Sequence, residues 1–218
     1  EMAGEKQLAV LFAAAGKVTD AKEKRAAEKA LSALSRRYPA SATAAASAAL
    51  PAAAPETRRI LLQALGIASA PAGLPLVQAA LKDPDADVAE DALRVLADWK
   101  ALPASAALLE EAKGHPKNSL RVLSLRGYIR LIAKEPDMTA RAAMLKQAEA
   151  LATRAEEKLL TTAAWQTVPT PETALLLKQR LSDGALKGEA LKSLRVIALH
   201  TPVDLPDKAP GSLLTPLT

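Results

Sequence analysis

The chain has 218 residues, half of them apolar but only 2% aromatic, with 29 basic against 24 acidic side chains, a net charge of +5 and no cysteine. A core of Ala and Leu with so few aromatic residues suits thin, closely stacked helices and argues against a large sheet. The missing cysteines exclude a disulfide framework and a thiolate zinc site, and they leave the compartment open.

Glu1–Lys6 has no basic stretch running into an apolar one, so no secretory leader is read there, and a start on glutamate reads as a trimmed chain. Breakers and caps then divide the sequence into six helical hairpins. The first is expected over 5–16 and 20–37, split at Gly16 and closed by Pro39. The second covers 41–50 and 55–68, between Pro51 and Pro55, and the third 72–82 and 85–99, with Asp83-Pro84-Asp85 in its turn. The fourth covers 103–113 and 118–133, split by Gly114-His115-Pro116. The fifth covers 138–152 and 155–167, and the sixth 170–182 and 185–199 across Asp183-Gly184. Pro103 and Pro171 fall in first turns, where a missing N–H costs nothing, and Asp85, Asn118 and Thr170 are expected N-caps. Residues 201–218 hold four prolines and no helical pattern, and they read as a tail or interdomain linker. Residues 60–81 are uncharged and nearly long enough to span a bilayer, but Gly66, Pro71, Gly73 and Pro75 divide them into two short helices.

Within the second helices a nine-residue pattern returns five times, at intervals of roughly 30 to 37 residues, beginning at Thr57, Val88, Leu120, Glu157 and Leu186. Its fifth place is small in four copies (Ala92, Ser124, Thr161, Ala190, with Leu61 the exception). Its ninth is large throughout: Leu65, Leu96, Tyr128, Trp165 and Leu194. Its second is basic in four copies: Arg58, Arg121, Lys158 and Lys187. Places one, five and nine share a helix face, and a small fifth residue lets a neighbouring helix come close. Self-similarity of this period is the mark of stacked helical hairpins.

Asp83-Pro84-Asp85 followed by Val88 and an Ala-Leu run resembles the HEAT repeat, although Ala89 stands where that family usually has Arg or Lys. Leu96-Ala97-Asp98-Trp99, Leu108–Lys113, Arg121–Ala133, Ala155–Lys158 and Val168–Glu172 resemble, more narrowly, HEAT modules of large, often exported bacterial proteins of the planctomycete and verrucomicrobial kind. There such modules accompany glycan-acting or cytochrome domains. The resemblance covers about residues 40–200. It implies an all-α chain, a right-handed α/α superhelix of about six hairpins over 1–200, joined by 201–218 to further domains of an exported multidomain protein.

No motif for phosphate binding, zinc proteolysis or nucleophilic catalysis occurs. His115 lies in a turn and His200 at a helix end, with no base–orienter arrangement near either. Asp83, Asp85 and Asp87 imitate the start of a calcium loop, but Val88 and Arg94 occupy its glycine and glutamate places, so these carboxylates are expected to cap a helix. Glu110-Glu111 and Glu156-Glu157 are read as solvated faces, Trp99 as a staple between hairpins, and Tyr128 and Trp165 as core. No catalytic residue, metal or cofactor is therefore expected.

The second-place cations are expected to pair with turn carboxylates of their own or a neighbouring hairpin, as the HEAT resemblance implies. A second set, Arg94, Arg126, Arg130 and Lys192, is rotated by about 140° from the first and cannot share its face. In a HEAT stack the second helices line the concave side, which makes this set a candidate binding row. The reading is a non-catalytic interaction or scaffold module, its partner a protein or a neighbouring domain of the same chain. The alternative is nucleic-acid or polyanion binding through a basic concave face, which the near balance of charges disfavours. No membrane span is expected, and the isolated domain is expected to be a monomer.

Overall fold

A computed structural model describes residues 20–200, together with Leu8, Val10, Leu11, Phe12 and Ala14. The expected tail over 201–218, most of the first helix and the side chain of His200 lie outside the described residues. Among the described residues the structure is all-helical, with twelve α-helices packed against each other and no strand. Helix α1 is described at residues 8, 10–12 and 14. It is followed by α2 (Ala21–Arg37), α3 (Pro39–Ala49), α4 (Pro55–Ala68), α5 (Leu74–Ala80) and α6 (Ala86–Ala97). The remaining helices are α7 (Ser105–Gly114), α8 (Asn118–Ile132), α9 (Met138–Leu151), α10 (Ala155–Ala164), α11 (Pro171–Gln179) and α12 (Lys187–His200).

The helix ends follow from local chemistry. Asp20 caps α2 by accepting from Lys22 and Glu23 N–H, and Asp85 caps α6 by accepting from Asp87 at 3.0 Å and Val88 at 3.1 Å. Thr170 caps α11 through Thr173 N–H, with Pro171 at the first helical position. Asn118 does not cap: it lies inside α8, and its Oδ1 accepts from Arg121 Nε instead. Helix α4 ends where Ser69 turns to φ 45°, which returns its N–H to Leu65 O and breaks the uncharged stretch 60–81. Five segments expected as uniform helix begin or end in a single 3₁₀ turn instead, at 50–52, 71–73, 102–104, 165–167 and 180–182. No described helix is long and apolar enough to cross a membrane.

The contacts divide the chain into two compact units, Glu1–Thr161 and Thr162–Thr218, with the boundary inside α10. In the first unit α3 packs on α4, α5 on α6 and α7 on α8, while the second helices α2, α4, α6 and α8 pack on one another in succession. In the second unit α11 packs on α12.

The fifth place of the repeat is buried in every copy: Leu61, Ala92, Ser124 and Ala190 at 0% exposure and Thr161 at 2%. The ninth place is buried from Leu65 to Trp165, but Leu194 is only half-buried. In α12 the buried stripe runs Ala190, Ser193, Ile197, so the last copy is rotated by one position at its end. Gly127 of α8 crosses the end of α6 so closely that a Cβ there would stand 2.9 Å from Ala97 O.

Candidate interaction surface

The second-place arginines reach forward. Arg58 on α4 meets Asp83 in the turn before α6 at 3.0 Å and also donates to Ala53 O. Arg121 on α8 meets Glu157 in the first turn of α10 at 2.5 Å and donates to Leu151 O. Each ties one hairpin to the next.

Glu157 was expected on a solvated face; it is 1% exposed. Its Oε2 accepts from the N–H groups of Thr153 and Arg154 at 2.9 and 3.0 Å, while Oε1 takes the Arg121 guanidinium. Burial pushes its carboxyl pKa up, but those two N–H bonds and Arg121 outweigh burial and hold it below the ordinary range. Adjacent glutamates in a first turn point in different directions. Glu156 stays 65% exposed while its neighbour turns back onto the helix start. The missed signal was Thr153-Arg154 ahead of it, a helix start whose free N–H groups call for an acceptor.

A second ion network joins three hairpins. Asp91 on α6 accepts from Arg59 on α4 at 2.7 Å through one oxygen and from Arg94 at 2.8 Å through the other. Arg94 also donates to Glu90 at 3.1 Å, and the other oxygen of Glu90 takes the Lys117 ammonium at the start of α8. The order is cation, anion, cation, anion, cation. The carboxylates lie beneath, with side chains 10% and 16% exposed, and the three cations lie outward. The hydrogen bond to Asp91, more than any other cause, raises the Arg59 pKa above its ordinary value.

The four residues expected as a binding row have different surroundings. Arg94 is half-exposed but engaged with Glu90 and Asp91. Arg126 is half-exposed, 3.5 Å from Glu156. Arg130 donates to Ala97 O at 2.7 Å and Trp99 O at 2.8 Å, so it closes the C-terminal end of α6. Lys192 belongs to the second unit, where it is 75% exposed and pairs with Glu189. Arg94, Arg126 and Arg130 lie on α6 and α8, which pack together.

The aromatic side chains pack. Trp99 is 1% exposed, with its ring edge at the place a Cβ on Gly73 would approach. Tyr128 is equally buried, donates to Gln147 at 3.0 Å, and burial raises its phenol pKa to about 12. His115 accepts from Lys117 N–H at 3.0 Å within its own turn. Among the described residues no three His, Cys, Asp or Glu side chains are placed to share a metal ion. Compared with protein-family models, curated proteins and solved structures, the chain finds no match.

Proposed function

We propose that the chain is a non-catalytic interaction module, a HEAT-like right-handed α/α solenoid within a larger protein, that holds a surface rigid for a protein partner or neighbouring domain. One observation carries this reading: in the first unit four ion pairs that involve charged side chains of the second helices tie consecutive hairpins together. Arg58–Asp83, Arg59–Asp91, Glu90–Lys117 and Arg121–Glu157 all span from one hairpin to the next. Groups so engaged stiffen the stack and are withdrawn from chemistry. The repeat period and the forward packing of α2, α4, α6 and α8 support the solenoid reading within the first unit.

The polyanion alternative has one observation in its favour, that every charged residue of α8 is basic. Two of those three, Arg121 and Arg130, are already bound to Glu157 and to carbonyls of the preceding turn. That leaves Arg126, too little charge for a phosphate track.

The test compares the parent with Arg94→Glu, Arg126→Glu and Lys192→Glu combined, against heparin, duplex DNA and any protein partner recovered with the full-length protein. The expected outcome is negligible retention of the parent on either polyanion at about 0.15 M salt, where the Debye length is about 8 Å. Saturable, salt-sensitive polyanion binding that the triple variant loses would establish the alternative.

A further inference from the structure

In four of the five copies of the repeat, the face that points toward the following hairpin is covered. The forward contacts identify it by position. On α4, places two, three and ten are Arg58, Arg59 and Gly66, which meet Asp83, Asp91 and Val95 of the next hairpin. On α6, places three and ten are Glu90 and Ala97, which meet Lys117 and Gly127. Place six lies on that same face, one helical turn from places two, three and ten. It reads Leu62, Leu93, Leu125, Thr162 and Leu191. The first four are at most 1% exposed, and Thr162 meets the following hairpin through Arg180 at 2.8 Å and Ser193 at 3.4 Å. Leu191 is 45% exposed.

The rest of the face on α12 is open as well. Lys187 at place two is exposed and has no ion-pair partner among the described residues, unlike Arg58 and Arg121. A Cβ on Gly188 would meet nothing within 4 Å, whereas one on Gly66 would strike Val95 at 2.7 Å. Leu199, further along, is 74% exposed. Two leucines on the solvent side of a helix that buries so little else call for a cover.

We propose that this face of α12 docks a helical hairpin of a partner protein, with a carboxylate at the start of the hairpin's second helix. The occupant follows from the chain itself. Over α4 and α6 the cover is the next second helix, and the second-place arginines Arg58 and Arg121 find their carboxylates just before or within the first turn of the second helix that follows. Lys187 supplies the cation, Leu191 the apolar contact, and Arg195, standing where Gly66 and Ala97 stand, adds a second positive charge. The face therefore favours an acidic hairpin and disfavours a second α12, which carries the same charges. This inference rests on the interaction-module reading and gives it a location.

The probe is a synthetic peptide of residues 82–99, which contains the Asp83 turn and the helix that covers α4, labelled and titrated with the full chain by fluorescence anisotropy. Saturable one-to-one binding is expected, weakened at least tenfold by Leu191→Arg and about threefold by Lys187→Glu. Asp83→Lys in the peptide should restore the second loss. No binding at millimolar chain, or binding indifferent to Leu191→Arg, overturns the proposal. Leu191→Arg abolishing a dimer in sedimentation equilibrium, or a photo-crosslinker at 191 capturing residues 201–218, also overturns it by naming a different occupant. If the peptide fails while a recovered protein partner still binds the chain, the interaction module stands and this location for it falls.

Discussion

Gly127→Ala is the sharpest test of the packing. In an ordinary helix interior this change stabilises by about 0.5–1 kcal/mol, because glycine loses more backbone freedom on folding. Here the new methyl would lie 2.9 Å from Ala97 O, 3.1 Å from Ala97 Cα and 3.1 Å from Leu108 Cδ1. Carbon atoms prefer about 3.5–4.0 Å, so α8 must move off the end of α6 by about half an ångström. Two of the three clashing atoms are backbone, and Ala97 O is further held by the Arg130 guanidinium at 2.7 Å. Overpacking of this kind costs about 1–3 kcal/mol. Set against the helical gain, a net loss of roughly 1–2 kcal/mol is expected, or about 2–8 °C in Tm for a chain of this size. Gly114→Ala is the matched control, since a Cβ there meets nothing within 4 Å. Thermal unfolding followed by circular dichroism at 222 nm decides it: Gly127→Ala melting at or above the parent would refute the close crossing of α6 and α8.

Ala92→Leu should cost about 1–3 kcal/mol, because Ala92 is fully buried at the small fifth place, and an unchanged denaturation midpoint would show the register to be wrong. Glu157→Gln should cost roughly 2–4 kcal/mol at neutral pH, measured by urea unfolding, since Arg121 loses its charge partner and two N–H groups lose an ionised acceptor. Because the folded carboxyl pKa is depressed, the parent should hold this contribution above the ordinary carboxylate range and lose it as pH falls through the folded value, whereas the variant should lack that dependence. Tyr128, raised to about 12 by burial, should give a late ionisation step in absorbance at 295 nm that Tyr128→Phe removes, with stability declining as pH rises from about 10 through 12. A titration complete below pH 11 in the folded parent would contradict the burial.

The helices were legible because their boundaries are set by local chemistry. Asp85, Thr170, Pro39, Pro55 and Pro171 each act within one turn of where they stand. Asn118 misled because Lys117 takes the N-cap position and the asparagine amide has a better partner in Arg121, a competition invisible in composition. The fifth-place ladder was readable because its small residues return at the period of the repeat, and in the structure every copy of that place is buried. Glu157 was not, since the same residue type serves a solvated face at Glu156 and a buried cap one position later. The expected row of four cations failed to show its differences for a similar reason. Periodicity assigns a side to Arg130, but only the crossing of α8 over α6 reveals that two carbonyls lie within its reach.

The ion ties between hairpins contribute more to order than to stability. Arg59, Arg94 and Lys117 have side chains 42%, 52% and 60% exposed, so each of these pairs is screened and adds at most about 1 kcal/mol. The apolar contacts are stronger and nearly interchangeable. Leucine at place six recurs as Leu62, Leu93 and Leu125, each buried, so this contact does not tell one hairpin from another. Stacks of similar units are prone to misassembly. The charges break that degeneracy. Arg58 is matched by Asp83 in the hairpin that follows and Arg121 by Glu157, while Ala89 between them makes no demand at all. An exchange of the third and fourth hairpins would put Arg58 before the Gly-His-Pro turn, which offers no acid; Asp83 would then follow Arg121, but Glu157 would follow Ala89 and lose its cation. The cost of an unpaired, partly buried charge then falls on the wrong order alone. The same argument explains why Glu157 is the most deeply buried carboxylate among the described residues: Arg121 is 17% exposed, and a tie taken out of water discriminates more strongly than one left in it.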